Sequence, residues 1–401
     1  MSPSKPQDAN DLARAGLLDD PFDGAEPMTD PTQADAEAAR KAAVAELAEL
    51  RVGNFLAPAL ARMRARATDQ ERPIALPWSS MNDALAGGLW PGLHVLVGNT
   101  GTGKSQWALQ AALQAARNDV PVLYIGLELG KVDLVARLVG LLTHRKWSRL
   151  FLGRDSYGKP SVVELDEVEA RHAEDLAVLG TMPFHLDVCP PMGWSYDELY
   201  RKARAMRDAY PEQLDDQGRV KSGSRPFLVV LDFLQLVASP VDRHEDLRER
   251  IGRAAYAGRA VARDLDAAVL LVSSTSRDNY GSLDGGAGKD KDKVEPGKTP
   301  AYRLVGLGKE SGEVEYAADS VMVFFRDSDR PPIESPPDRW TPLQIAVAKA
   351  RAQGDALAAT KGWIPLLFNG GRFREPREDE KAALARPVSA PTPTRPRSGD
   401  A

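Results

Sequence analysis

A single cysteine, Cys189, stands among 401 residues, which excludes an internal disulfide framework and suits a reducing compartment. It lies in the apolar stretch Phe184 to Pro190, where a buried structural thiol is expected. No run approaches the roughly 20 apolar residues that span a bilayer. The first residues are acidic, where a secretion signal would be basic and then apolar. These absences predict a soluble, cytoplasmic protein with no membrane partner. An excess of positive charge is missing too, the formal charge being −5, but the average hides an uneven distribution. Residues 1 to 37 carry nine acids against Lys5 and Arg14, so the remainder is close to balanced. Net charge therefore neither supports nor excludes a nucleic-acid partner. With 43% hydrophobic residues the chain can bury a substantial core, and one large domain is expected because both ends read as unfolded.

What is present centres on Gly98-Asn99-Thr100-Gly101-Thr102-Gly103-Lys104-Ser105, the full G-x-x-x-x-G-K-[ST] pattern of a phosphate-binding loop. The apolar run His94 to Val97 predicts a strand leading in, and Gln106 to Ala116, rich in Ala, Leu and Gln, predicts a helix leading out. Glycines let consecutive backbone N–H groups turn inward around an anion, and the following helix points its positive end at the same place. Lys104 then neutralises the β/γ-phosphates and Ser105 holds Mg²⁺. A Gly-rich turn with a chance lysine would share the letters but not the flanking strand and helix.

Along the chain, residues 1–33 predict a disordered acidic tail, too poor in apolar side chains to offset the entropy of ordering. Residues 34–72 predict a helical linker or oligomerisation segment. Ala34 to Leu50 places Val44, Leu47 and Leu50 at helical spacing, and a second apolar-basic piece follows Gly53 and Pro58 up to Arg66. Short helices are marginal alone, so this segment needs a surface, either a neighbouring subunit or its own domain. Residues 73–375 alternate strands and helices, with strands expected at Val120 to Leu127, Phe184 to Val188, Phe227 to Asp232, Ala268 to Ser273, Val321 to Phe325, Leu343 to Ala348 and Trp363 to Phe368. Asp278 to Arg303 reads as a long loop. From Glu375 the chain turns Pro-, Arg- and charge-rich, and a disordered tail is expected over 376–401. The alternation predicts an α/β fold with a mainly parallel twisted sheet flanked by helices.

Two acids stand where such a sheet collects ligands. The apolar run Phe227 to Leu231 ends in Asp232, the form of a buried strand delivering a carboxylate to Mg²⁺. Hydrolysis also needs a carboxylate that orients water at the γ-phosphate. Phe233 follows Asp232, so that acid comes from elsewhere, and Glu128, at the end of the neighbouring predicted strand, is the best placed.

Four segments in order, Gly92 to Ser105, Tyr124-Ile-Gly-Leu-Glu-Leu, Val230-Leu-Asp-Phe-Leu-Gln-Leu, and Lys309-Glu-Ser-Gly-Glu-Val-Glu-Tyr-Ala-Ala-Asp-Ser, resemble the motifs of the RecA-like motor domain of DnaB-type hexameric replicative helicases. The resemblance covers about Pro73 to Phe373. It implies a RecA-like P-loop ATPase fold and a ring, expected to be a homo-hexamer, that pulls single-stranded DNA through its centre with ATP and Mg²⁺. It implies that Lys104 and Ser105 hold phosphate and metal, that Asp232 and Gln235 belong to the nucleotide site, and that Glu128 orients the attacking water. Lys309, Glu310 and Gly312 match the family's segment that touches the DNA backbone, chemistry that backbone amides and a cation suit because phosphates are alike in every sequence. Lys349 and Arg351 match the basic pair inserted into the neighbouring subunit's ATP site, and a spacing of two sends both side chains to one face of a strand. The pattern departs at Ser274, where the family usually carries Gln, and after Arg351, where Asn-Gly-Pro is absent. The N-terminal collar domain that meets primase has no counterpart, so a plasmid, phage or accessory helicase with a loader or replication partner is implied. A RecA-like recombination or clock-type ATPase, assembling on DNA or a partner without unwinding, stays open, as does a non-enzymatic nucleotide switch.

Overall fold

The computed structural model describes residues 33–188, 195–211, 226–232, 247–274, 301–304, 312–326, 330–335, 338–352 and 362–385. Cys189, Gln235, Lys309, Glu310 and the expected loop up to residue 300 fall outside these residues. The chain divides into two compact units, Met1–Met63 and Arg64–Ala401.

The smaller unit holds α1 (Gln33–Glu49) and most of α2 (Val52–Ala67), the latter running through Pro58. The expected break at Gly53 and Pro58 is therefore only a short interruption before Val52. The apolar side chains Val44, Leu47, Phe55 and Leu56 are all exposed.

The larger unit begins earlier than the expected boundary at residue 73. Ala65 is buried, and Arg66, laid over the Trp90 ring, pairs at 3.0 Å with buried Glu71. A first short helix, α3 (Ser79–Ala84), leads to β1 (Gly92–Gly98), α4 (Lys104–Arg117), β2 (Val122–Gly126), α5 (Lys131–Thr143) and α6 (Trp147–Leu152). Then come α7 (Val163–Arg171), α8 (Ala173–Thr181), β3 (Phe184–Val188), α9 (Tyr196–Ala209), β4 (Leu228–Asp232), α10 (Leu247–Asp264) and β5 (Ala268–Ser274). A 3-10 turn (Ala301–Leu304), where the sequence predicts the end of a loop, precedes α11 (Gly312–Ala317), β6 (Ser320–Arg326), β7 (Ile333–Ser335), β8 (Asp338–Ala350), β9 (Trp363–Asn369), β10 (Arg372–Arg374) and α12 (Glu378–Ala385).

The strands form one sheet in the order β10-β9-β8-β6-β1-β5-β4-β2-β3, with β7 paired to β8. From β6 to β3 every pairing is parallel, and β8, β9 and β10 add an antiparallel flank. The central strands read as continuous apolar runs because both faces are covered. One face packs on α4 and α5 through Trp107, Leu109, Leu134 and Leu138, the other on α9 and α10 through Leu199, Met206, Ile251 and Val261. His94, the polar exception within β1, is satisfied by Ser320 Oγ at 2.8 Å and the Trp90 carbonyl at 2.7 Å, and burial lowers its pKa, so it is a neutral core residue.

The expectation of a structureless tail fails over its first turns. Glu375 accepts hydrogen bonds from Ser79 Oγ at 2.8 Å and the Ser80 amide at 2.7 Å. In α12 the buried Glu380 takes both guanidinium nitrogens of Arg374 at 2.6 Å, and Arg374 in turn stacks on Trp340. The local sequence Glu-Asp-Glu-Lys-Ala-Ala-Leu-Ala, acidic in its first turn and rich in alanine, favours a helix, which the proline-rich average of the whole segment conceals. Hydrogen bonds from Arg374 and Arg377 lower the Glu380 carboxyl from an ordinary 4.5 to about 2. A depressed carboxylate stabilises the fold fully above its unfolded pKa and loses that contribution as the pH falls through the folded value. Glu380→Gln should cost about 2 kcal/mol at pH 7, the range for hydrogen bonds to charged groups. Thermal melts should show the gap to wild type closing as the pH drops from 4.5 toward 2, and a pH-independent gap would contradict the charge assignment.

Candidate nucleotide-binding site

The loop between β1 and α4 is backed by aromatic side chains, which leaves no room for larger residues. At Gly98 a Cβ would come within 2.8 Å of Phe324 Cβ. Gly103 caps α4 with φ at 92°, a left-handed conformation that favours glycine, and a Cβ there would meet Phe373 Cζ at 2.8 Å. Behind them Trp78 stacks on Trp107 at 4.8 Å, with Phe373 and Phe324 edge-on to the pair. Thr102 Oγ1 donates to the Asn99 carbonyl at 2.8 Å and braces the loop from within. Thr100 and Gly101 form the exposed tip. The first turn of α4 leaves amides without intrahelical partners at the positive end of the helix dipole, an arrangement that accepts an anion.

Three of the expected side chains meet beneath this loop. Lys104 is buried and its Nζ donates to the Gly98 and Asn99 carbonyls, each at 2.7 Å. Burial lowers its amine to about 8, against the raising influence of Asp232 and Glu128. Ser105 Oγ donates to Asp232 Oδ1 at 3.0 Å. Asp232, 2% exposed, has its pKa raised by burial, an effect opposed by hydrogen bonds from Tyr124 and Ser105 and reinforced by the charge of Glu128. Glu128 is exposed and follows Leu127, whose amide donates to the Asp232 carbonyl at 2.7 Å. The acid just past the end of β2 and the acid that ends β4 therefore share one end of the sheet with the loop. An alcohol and a carboxylate at this spacing are hard oxygen donors that suit Mg²⁺ bound together with phosphates. Ser274, paired with Gly98 across β1 and β5, closes the same edge.

Lys349 and Arg351 stand elsewhere. Ala350 pairs with Ser320, and Ser320 with His94, four residues before the loop begins at Gly98. At about 3.3 Å per residue this sets Ala350 roughly 13 Å back along the strands, with Arg351 one residue further, at the opposite edge of the sheet. As the spacing of two predicts, both side chains point the same way, reaching the Tyr316 carbonyl at 3.5 Å from Lys349 and 3.4 Å from Arg351. Arg351 also pairs with Asp319 at 2.8 Å while remaining half-exposed. It lines an open cavity of about 480 Å³ with Arg66, Trp90 and His94. Gly312 begins α11, next to the undescribed Lys309 and Glu310.

Tyr124 was not singled out by the sequence, although it lies within a recognisable segment. Its hydroxyl donates to Asp232 Oδ2 at 2.7 Å. The signal that could have found it was its position two residues before Gly126, which places it on the face that β2 shares with Asp232 once the strands are known to be neighbours.

Comparison with known proteins points to one family. The family model described as DnaB-like helicase C terminal domain matches residues 78–359. The replicative DNA helicase DnaB of Leifsonia xyli subsp. xyli (strain CTCB07) is 24% identical over 261 residues, 61% of this chain and 45% of that protein. A probable replicative DNA helicase of Trieres chinensis is 22% identical over 236 residues, 59% of this chain and 43% of that protein. The chain thus spans less than half the length of these curated relatives. Among solved structures, a DnaB-like replicative helicase described with its interactions with primase superimposes with a TM-score of 0.59 at 18% identity, covering 84% of this chain and 71% of that one. A second solved structure, described as an ATPase domain, gives 0.58 at 19% identity, covering 80% of this chain and 99% of that one. Both share the RecA-like α/β fold seen here. With the matched segment running from α3 beyond the end of β8 and enclosing the loop and both acids, the chain belongs to the DnaB-like helicase C-terminal domain family.

Proposed function

We propose that this chain is the motor of an ATP-dependent DNA helicase that assembles as a ring, expected to be a hexamer, and moves along single-stranded DNA. The observation that carries the proposal is the Ser105–Asp232 contact at 3.0 Å, with Lys104 on the loop floor and the charge of Glu128 acting on both. In this reading the amides of residues 98–103 cradle the phosphates of ATP and Lys104 neutralises them. Ser105 and Asp232 would hold Mg²⁺, and Gln235 is assigned to the same nucleotide site. When bound, that ion neutralises charge on the phosphate oxygens. Glu128, exposed at the mouth of the site, orients the attacking water.

Lys349 and Arg351 lie too far back to serve the loop of their own chain, which supports their use in the ATP site of an adjacent copy. To do so Arg351 would exchange a half-exposed pairing with Asp319 and its contact with the Tyr316 carbonyl. An arginine delivered across the interface stabilises charge on the transferred phosphoryl group and couples hydrolysis to assembly. The exposed apolar side chains of α1 and α2 support a role for that segment in joining copies. Lys309, Glu310 and the backbone at Gly312 are the proposed contacts to DNA phosphates, and a loader or other replication protein is a further proposed partner.

Native mass measurement with a non-hydrolysed ATP analogue and a single-stranded oligonucleotide should give six copies, and Mg²⁺-ATP should drive strand displacement on a forked duplex. Turnover without displacement would favour a RecA-like ATPase that assembles without unwinding. Lys104→Ala should abolish turnover. Glu128→Gln should leave nucleotide affinity within about twofold while lowering turnover roughly 100-fold, the loss expected of a missing general base. Arg351→Ala should leave ATP binding intact in the monomer and reduce DNA-stimulated turnover about 1,000-fold, as for other arginine fingers. Equal loss of binding would contradict its action in trans.

A further inference from the structure

Asp232 is held in place by a residue that belongs to neither the phosphate loop nor its own strand. Tyr124, fully buried on β2, donates its hydroxyl to Oδ2 at 2.7 Å, while Ser105 donates to Oδ1 at 3.0 Å. The same phenol oxygen lies 3.5 Å from the main-chain oxygen of Ser105, so it touches both the end of β4 and the first turn of α4. Strand register explains the reach. Gly126 pairs directly with Asp232, and Tyr124 pairs with Val230 two residues earlier on the same face. The ring lies roughly parallel to Phe184, with centroids 6.3 Å apart, a contact that does not involve the hydroxyl.

A carboxylate with 2% exposure has little water to complete its hydrogen bonding. With each oxygen given one donor from a different element, Asp232 is confined to a single orientation, and Oδ1 is turned toward the Ser105 hydroxyl. Removing the phenol oxygen would leave Oδ2 without that donor and free the carboxylate to rotate about its last torsion. Partners of this outer kind orient the groups that face a metal, and their loss typically weakens metal affinity about 10- to 100-fold.

We propose that Tyr124 is a positioning residue for the Mg²⁺ site, fixing the rotamer of Asp232 through Oδ2 so that Oδ1 and Ser105 face the cation together. The proposal rests on the ATP-site assignment above. A buried tyrosine that merely satisfies its own hydroxyl would show the same hydrogen bond, so the test must separate metal dependence from stability.

The experiment titrates Mg²⁺ against binding of a fluorescent, non-hydrolysed ATP analogue to the full chain, for wild type, Tyr124→Phe, Asp232→Asn and the double variant. The same binding is measured in EDTA, and thermal melts establish that each variant is folded at the assay temperature. Tyr124→Phe should raise the Mg²⁺ concentration for half-saturation about 10-fold and leave affinity in EDTA unchanged within about twofold. On the Asp232→Asn background the same substitution should have no further effect on the Mg²⁺ midpoint. An unshifted midpoint, an equal loss in EDTA, or an effect that persists without the Asp232 carboxylate each overturns the proposal, whatever the melting temperatures. Wild type lacking any Mg²⁺-dependent nucleotide binding would remove the ATP-site assignment and this proposal together. A normal wild-type response with an unshifted Tyr124→Phe removes only the role of the tyrosine.

Discussion

A hydroxyl and a carboxylate brought together by two separate elements underlie everything proposed for this chain. Ser105 lies in the first turn of α4 and Asp232 ends β4, and their bond fixes where the helix begins relative to the edge of the sheet. That registration depends on packing behind the loop. Phe324 and Phe373 press against Gly98 and Gly103, so the loop cannot move away from the sheet without opening an aromatic core. Lys104 is the electrostatic counterpart. Its amine donates to two loop carbonyls, and burial lowers its pKa to about 8 and leaves a cation poorly compensated by water. An anion entering the loop would relieve that cost, so the same burial that penalises the lysine favours phosphate.

The topology then divides the chemistry between two edges. The parallel strands β1, β2, β4 and β5 all end at the loop edge, which is why Asp232, ending β4, and Glu128, two residues past β2, stand at one end of the sheet. Strand β8 runs the other way, so the basic pair at its end is carried to the opposite edge. Asp319 anchors that edge by accepting from the Leu93 amide at 2.9 Å and from Arg351. A chain built this way separates its phosphate-binding face from its arginine, and a complete site of the proposed kind requires a second copy.

Much of this was legible in the sequence because it is local. The loop glycines, Lys104, Ser105, the helix that follows them and the apolar run ending in Asp232 each follow from spacing over a few residues. Glu128 was legible as a strand-end acid, and its company with Asp232 depends on β2 and β4 being neighbours, which no local pattern encodes. Tyr124 was not legible for the same reason: its partner is 108 residues away on a strand whose adjacency no local pattern encodes. The helix Glu378–Ala385 was hidden differently, since composition averaged over a proline-rich segment masks eight residues pinned by one buried glutamate. Arg66 and Glu71 likewise joined the larger unit through a burial that linker-like composition does not reveal.

The claim that one ATP site is assembled from two copies is tested most directly by mixing. Lys104→Ala and Arg351→Ala proteins, each inactive alone, are combined in equal amounts with ATP, Mg²⁺ and single-stranded DNA, and turnover is followed. Copies of the second variant retain Lys104 and copies of the first retain Arg351, so mixed assemblies should contain intact sites and recover a substantial fraction of wild-type activity. A mixture that stays as inactive as its components, while native mass shows that the two variants co-assemble, would contradict the shared site.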